Sequence, residues 1–386
     1  MLPCNTHVHS PYSFSVFSSV DEMVSTARAA GIAVLGINDG TTVDGFKEFD
    51  LSCRSQGIYP LFNIEFAVEC DGDHRRSGSH HVPFSPKHCW LHGKALRFPA
   101  MLSSDSRNLL ASIWKASQDR IWKLIETVNF FLDRQGLPLS LDYASIRADY
   151  TKSSVHDLHI ARALEALLSE HFNNREKAVK HLNELMGFTE HDSLPSAPGK
   201  LTNALCRELG SGSAFERINR RTGPSIQLLQ AKQVILQAGG IPSFQCSFNN
   251  DDEWMKESEG PELLARQLSA KGIHAVEFIP GETSCRLLET FMRYFHEHHF
   301  LVTMGSDHSE CSDASLLPVT RDGKIPGDDL LSMCYESVCI YAAHQEMHYR
   351  ERRGFVDESG KRLIPPEQVE PFIALGEQAI KTATGR

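Results

Sequence analysis

His7-Val8-His9 ends the apolar run that opens the chain, and Ser10-Pro11 turns the backbone immediately afterwards. Side chains alternate across a strand, so both imidazoles share one face and Val8 takes the other. Two imidazoles on one face before a turn suit a divalent cation at the mouth of a parallel barrel. Two histidines satisfied within a core would give the same pattern, so the other strand ends must carry the argument. Asn38-Asp39-Gly40 ends the second apolar run, Glu65 lies in the third and His88 in the fourth. Cys246 follows the fifth, Glu277 lies in the sixth, and Gly305-Ser306-Asp307-His308 closes the last. A core strand has no packing reason to end this way, because a buried carboxylate or imidazole is costly unless it is paired or bound to a cation.

The elements that must position these residues read as an interrupted α/β barrel. Strands over 2–8, 32–37 and 58–68 alternate with helices over 20–30 and 44–56, each helix closed by a glycine, Gly31 or Gly57. This βαβαβ order predicts a parallel sheet with right-handed crossovers. A polar, turn-rich loop over 71–86 precedes a short strand near 88–91. Helical periodicity then dominates over 109–135, 155–171, 175–186 and 226–238. Alternation resumes with strands over 240–244, 274–279 and 300–304 and helices over 262–270 and 285–298. The expected organisation is a barrel from 1–105 and 225–320, a helical insertion over 106–224, and a C-terminal helical extension over 321–386 with one clear helix at 328–349.

Composition narrows the function classes. The chain has 386 residues, 39 Lys+Arg against 49 Asp+Glu, and a net charge of −10. That length holds two ordinary domains, or one barrel with a large insertion. No run approaches the roughly 18 apolar residues of a membrane span. The negative balance argues against a broad nucleic-acid footprint. The first residues show neither the basic nor the apolar region of a secretory signal, so a cytoplasmic location is expected. Ten cysteines without a CxxC pair predict reduced thiols. Many of the 19 histidines have plainer explanations. His74, His80 and His81 fall in a polar loop, and His296, His298 and His299 complement the end of a helix.

Several short motifs, in this order along the chain, resemble the PHP (polymerase and histidinol phosphatase) superfamily. They are His7-Val8-His9-Ser10 with Tyr12-Ser13, Ala29-Ala30-Gly31-Ile32 leading to Gly36-Ile37-Asn38-Asp39, Val43-Asp44-Gly45-Phe46, Glu65, Gly239-Gly240-Ile241-Pro242 and Gly305-Ser306-Asp307-His308. His159-Ile160-Ala161-Arg162-Ala163-Leu164 is similar to part of the helical insertion in the family's nucleotide phosphatase branch. The resemblance implies a distorted (β/α)7 TIM-like barrel holding up to three metal ions that activate water against phosphate esters. By that resemblance one ion would be held by His7, His9, Glu65 and Asp307. A second would share Glu65 and use His88 and Cys246, with His92 replacing His88 if the register shifts by four. Cys246 stands where the family has histidine, and a thiolate favours zinc. Three departures, at Gly40, at Phe14 and Ser15, and at Ser309, fall on the third ion. One or two ions are therefore expected, zinc first and manganese or iron otherwise, unless His308 turns inward to compensate.

The expected activity is hydrolysis of a small phosphorylated substrate, a phosphomonoester or nucleotide, by a metal-activated water. Asp39, Glu65 and Asp307 would be the working carboxylates, Glu65 bridging ions and Asp39 orienting a histidine ligand. Lys94, Arg162 and Arg286 are candidates for the substrate phosphate. His159 and Arg162 lie i, i+3 on one helical face, where they could roof the site. The missing ligands also fit a non-catalytic PHP relative that binds a phosphorylated ligand or partner. An accessory role in nucleic acid metabolism is a further alternative, opposed by the charge and by the lack of a polymerase module.

Overall fold

The computed structural model describes residues 1–69, 89–186, 194–197, 199–211, 225–246, 260–308, 316–350 and 352–386. The chain begins with β1 (Cys4–Val8), α1 (Val20–Ala29), β2 (Val34–Gly40), α2 (Phe46–Ser55) and β3 (Tyr59–Glu69). Ser19 caps α1 by accepting the Glu22 amide, and Val20, Met23, Val24 and Ala27 form its buried stripe. After β4 (Cys89–Lys94) come the helices α3 (Ser104–Arg134), α4 (Tyr143–Tyr150), α5 (Asp157–Phe172), α6 (Arg175–Met186) and α7 (Lys200–Ser211). The short β5 (Ile226–Gln227) leads into α8 (Leu228–Gln237). The barrel then resumes with β6 (Ile241–Cys246), α9 (Gly260–Ala270), β7 (Ala275–Phe278), α10 (Cys285–Glu297) and β8 (Leu301–Met304). The last helices are α11 (Asp328–Tyr349) and α12 (Glu370–Thr384).

The sheet runs β1-β2-β3-β4-β6-β7-β8, with β5 pairing to β3. An isolated bridge between Val8 and Asp307 brings its two edges together. There the Asp307 amide donates to His7 O at 3.0 Å and the His9 amide to Asp307 O at 3.4 Å. Gly305 makes this approach possible, since a Cβ on it would lie 2.1 Å from the His7 Cβ. The expected barrel is present, with one correction to its direction. β4 is antiparallel to both β3 and β6, whereas the βαβαβ order of the first elements predicts parallel neighbours, as β1, β2 and β3 are. The polar stretch between β3 and β4 carries no amphipathic helical pattern, and a parallel return needs a crossover of that kind.

The insertion has its own apolar core, built on Ile121, Val128, Leu132, Ile160, Leu164 and Leu205. It docks on the loop that follows β1. The Lys152 amide and Thr151 Oγ1 both donate to Pro11 O, at 2.8 and 3.0 Å, and Arg162 Nη2 donates to Val16 O at 3.0 Å. The C-terminal extension is a structural floor. Along α11, Ser337 Oγ accepts the Val302 amide, Ala342 O accepts Tyr59 Oη, and Gln345 bonds both Phe62 N and Pro60 O. These partners lie at the starts of β3 and β8, so α11 crosses the end of the barrel opposite the β1–Asp307 junction. Among the described residues seven cysteines are free thiols, but Cys89 is disulfide-bonded, contrary to the expectation of reduced thiols. No described helix is long and apolar enough to cross a membrane.

Gly305→Ala forces β1 and β8 apart where they meet. It is expected to lower stability by at least roughly 1–3 kcal/mol, as overpacking does. Thermal or urea unfolding measures the loss, and a variant as stable as the parent would contradict the close approach.

Candidate metal centre

The pairing of β1 with β2 shifts by one residue between Asn5 and Val8. Such a bulge re-aims side chains, and here Thr6 and His7 both reach Glu277. Thr6 Oγ1 donates to Glu277 Oε1 at 2.5 Å, and His7 Nδ1 donates to Glu277 Oε2 at 2.9 Å. With Nδ1 committed, the ring directs Nε2 toward the mouth. His7 Nε2 lies 3.3 Å from His9 Nε2 and 3.4 Å from Glu65 Oε2. His9 Nε2 is 3.9 Å from the same carboxylate oxygen and 3.0 Å from Asp307 Oδ1. His7, His9 and Glu65 form a buried group able to hold a metal ion, and Asp307 adjoins it across the barrel seam.

Below this group lies a second polar tier. His92, on antiparallel β4 and directly opposite Glu65 in register, has Nε2 3.7 Å from Glu65 Oε2 and 2.9 Å from Gln245 Oε1. Its Nδ1 lies 2.8 Å from Glu277 Oε2, in contact though not aligned as an ideal hydrogen bond. Lys94, two residues on and therefore on the same face, sets Nζ 2.6 Å from Glu277 Oε2. Asn38 joins the tiers, accepting from Lys94 at 3.2 Å through Oδ1 and donating to Glu65 at 3.1 Å through Nδ2, which also lies 3.0 Å from His7 Nε2.

Charge balance sets the proton affinities. Burial works against a charged His7, but Glu277 and Glu65 outweigh it and raise its pKa to about 9. Burial and the Lys94 ammonium lower His92 to about 4. Burial would raise Glu65, yet His9, His7 and His92 hold it below the ordinary carboxylate value. Glu277 is likewise resisted by burial and held well below that range by Lys94 and His7.

Of the expected site residues, His7, His9, Glu65 and Asp307 come together. His88 and Ser309 lie outside the described residues, as do His74, His80 and His81, and His92 stands beside Glu65 from the fourth strand. Cys246 does not join them. Gln245 faces inward to His92, so alternation turns Cys246 into the apolar core behind the sheet, where burial raises its thiol pKa. Among the described residues Asp39 orients no histidine. Next to inward Asn38, it binds the loop after β1, accepting from Ser10 N at 2.8 Å, Ser10 Oγ at 2.6 Å and Ser13 Oγ at 2.6 Å. The orienting carboxylate is Glu277, which the strand-end pattern included without giving it a role.

His308 does not turn in to the cluster. Its Nδ1 is 2.7 Å from Ser306 Oγ, and its ring stacks on Phe17 at 5.9 Å. Lys94 is buried within the barrel, its ammonium engaged, so it has no surface to offer a substrate phosphate. Arg162 holds Val16 O at the docked loop, and Arg286 is exposed in the first turn of α10. Phe14 fills the space beside Gly40. Its ring lies 4.1 Å from the His9 ring and 5.2 Å from that of His156 in the insertion, and a Cβ on Gly40 would meet it at 3.3 Å. Ser15 bonds His9 O at 2.7 Å and is spent on the loop.

Two solved structures share this architecture. One, from Bifidobacterium adolescentis and provisionally assigned as a metal-dependent phosphoesterase, aligns with a TM-score of 0.57 at 16% identity, covering 87% of this chain and 98% of that one. The other, an amidohydrolase from Chromobacterium violaceum with bound sulfate and no metal, aligns with a TM-score of 0.54 at 16% identity, covering 86% and 96%. At these identities the likeness is one of fold. No curated protein matches the chain in sequence. The family model described as PHP domain matches residues 5–171 of this chain, from β1 into α5.

Proposed function

We propose that this protein is a metal-dependent hydrolase of small phosphate esters. The observation that carries the reading is the convergence of His7 Nε2, His9 Nε2, Glu65 Oε2 and Asp307 Oδ1 at the mouth of the barrel. The set fits a divalent cation. Three carboxylates, Glu65, Glu277 and Asp307, outnumber the cations of the cluster, Lys94 and a protonated His7, which leaves negative charge for an ion to neutralise. His9 adds a buried Nδ1 without a hydrogen-bond partner among the described residues. Zinc or manganese suits these nitrogen and carboxylate donors. Phe14 beside Gly40 occupies room that a further ligand would need, which favours one or two ions over three.

When bound, the ion would supply activated water at neutral pH and charge stabilisation for a phosphoryl oxygen. The chain's own groups do the rest. Glu277 holds the His7 ring so that Nε2 faces the mouth, and Asn38 fixes Glu65. Asp307, 20% exposed where the other carboxylates are buried, is placed to take the proton that an attacking water releases. The loop after β1, braced by Arg162 and lined by Phe14 and His156, walls the entrance against the insertion.

Chelator-stripped protein reloaded with zinc or manganese is expected to release phosphate from members of a panel of phosphomonoesters, phosphodiesters and nucleotides, and to leave amides intact. His9→Ala and Asp307→Ala should each reduce turnover at least about a hundredfold and weaken metal binding. A metal-loaded protein that binds phosphate esters but hydrolyses none would establish the non-catalytic alternative. Metal uptake should also depend on pH. His7, with its pKa raised to about 9 in the metal-free site, must lose its Nε2 proton to ligate. Zinc affinity is therefore expected to climb about tenfold per pH unit from about pH 6 until it levels near 9. Competition against a chromophoric chelator reads the slope, and a flat profile would refute the assignment of His7.

A further inference from the structure

Two groups of metal-competent atoms share His7. The outer one is His7, His9 and Glu65, and the inner one is His7, His92 and Glu277. We propose that Lys94 is a built-in cation that fills the inner group, so that metal binding is confined to the outer group. The inference rests on the metal-binding part of the function proposed above.

The inner group already has its positive charge. Lys94 Nζ stands 2.6 Å from Glu277 Oε2, closer than either imidazole. An ammonium has three donors, and here three acceptors surround it: Glu277 Oε2, Asn38 Oδ1 at 3.2 Å and Thr6 O at 3.1 Å. The side chain is wholly buried, out of reach of bulk solvent. Glu277 is saturated as well. Its Oε2 takes Lys94 and His7 while its Oε1 accepts from Thr6 Oγ1 at 2.5 Å, with Thr303 Oγ1 at 3.5 Å. A divalent ion on Glu277 would have to displace the ammonium or sit beside it, and like charges that close in a dry interior repel strongly. His7 is committed in the same sense, since Nδ1 bonds Glu277 and Nε2 alone is left for an ion. The antiparallel course of β4 makes this possible, because residues 92 and 94 then enter the same interior one below the other.

Zinc-soaked crystals of the wild type, with the ions located by anomalous scattering, are expected to show zinc on His7 Nε2 and none bonded to Glu277. Lys94→Met removes the ammonium at similar volume. Metal analysis of that variant is expected to find one more zinc per chain than in the wild type, with the extra ion on Glu277. Zinc bonded to Glu277 in the wild type, or an unchanged zinc count in folded Lys94→Met, would overturn the proposal. If the variant does not fold, the wild-type crystal decides, together with nitrogen-15 histidine spectra of the zinc-loaded wild type. Those spectra should show His7 protonated at Nδ1, and His7 protonated only at Nε2 would overturn the proposal. A wild type that takes up no zinc, beside a Lys94→Met that binds it at Glu277, would retire the proposed metal-dependent function and the outer-group part of this inference, and would leave standing only that Lys94 keeps metal from Glu277.

Discussion

Glu277 and Lys94 form an ion pair at the centre of the barrel, both wholly buried, and the candidate site is arranged around it. Removing two charges from water is expensive, and their attraction offsets the cost only where the remaining donors and acceptors are satisfied. Here they are, through Thr6 and Asn38, with His7 adding a further donor to the carboxylate. The result is a rigid polar plug where a barrel of this size usually packs aliphatic side chains. His7 stands on the plug and His92 beside it, which gives the upper tier a defined floor. Tyr341 on α11 lies beneath, near enough to Glu277 to feel its charge. The C-terminal extension thus closes the interior that the site is built on.

The second constraint is closure of the sheet. His9 belongs to the loop after the first strand and Asp307 to the turn after the last, yet their side chains meet at 3.0 Å because Val8 and Asp307 bridge. Asp307 and His308 both adopt left-handed backbone, with φ of 65° and 56°. Such conformations are uncommon for residues with a side chain and are kept where the surroundings enforce them. Gly305 permits the contact and the turn after it aims the carboxylate inward. The insertion acts on the same edge from above, through the loop that carries Phe14 and Ser15.

Much of the site was legible in order along the chain. His7, His9, Glu65 and Asp307 could be read as one set because each polar residue interrupts an apolar run where a buried strand should continue. Cys246, which the resemblance implies as a ligand, and Asp39, expected to orient one, are each one residue out of phase with the side chain that does face in, Gln245 or Asn38. A period of two makes such a slip a complete reversal of face. Lys94, expected at a substrate phosphate, lies instead below His92 in the interior, because the fourth strand runs antiparallel and leads from the mouth inward.

What the sequence determined by itself was most of the elements, most residues of the candidate site and the likeness to PHP domains, because hydrophobic periodicity and local motifs are properties of neighbouring residues. Only the tertiary structure decided which carboxylate lies against the histidines, that a lysine is buried beside it, and that Phe14 fills the space next to Gly40. Those outcomes depend on strand direction, a bulge between Asn5 and Val8, and contacts such as that of Lys94 with Glu277, separated by 183 residues. Burial makes them decisive, since an interior charge must find its partner wherever the fold has placed it.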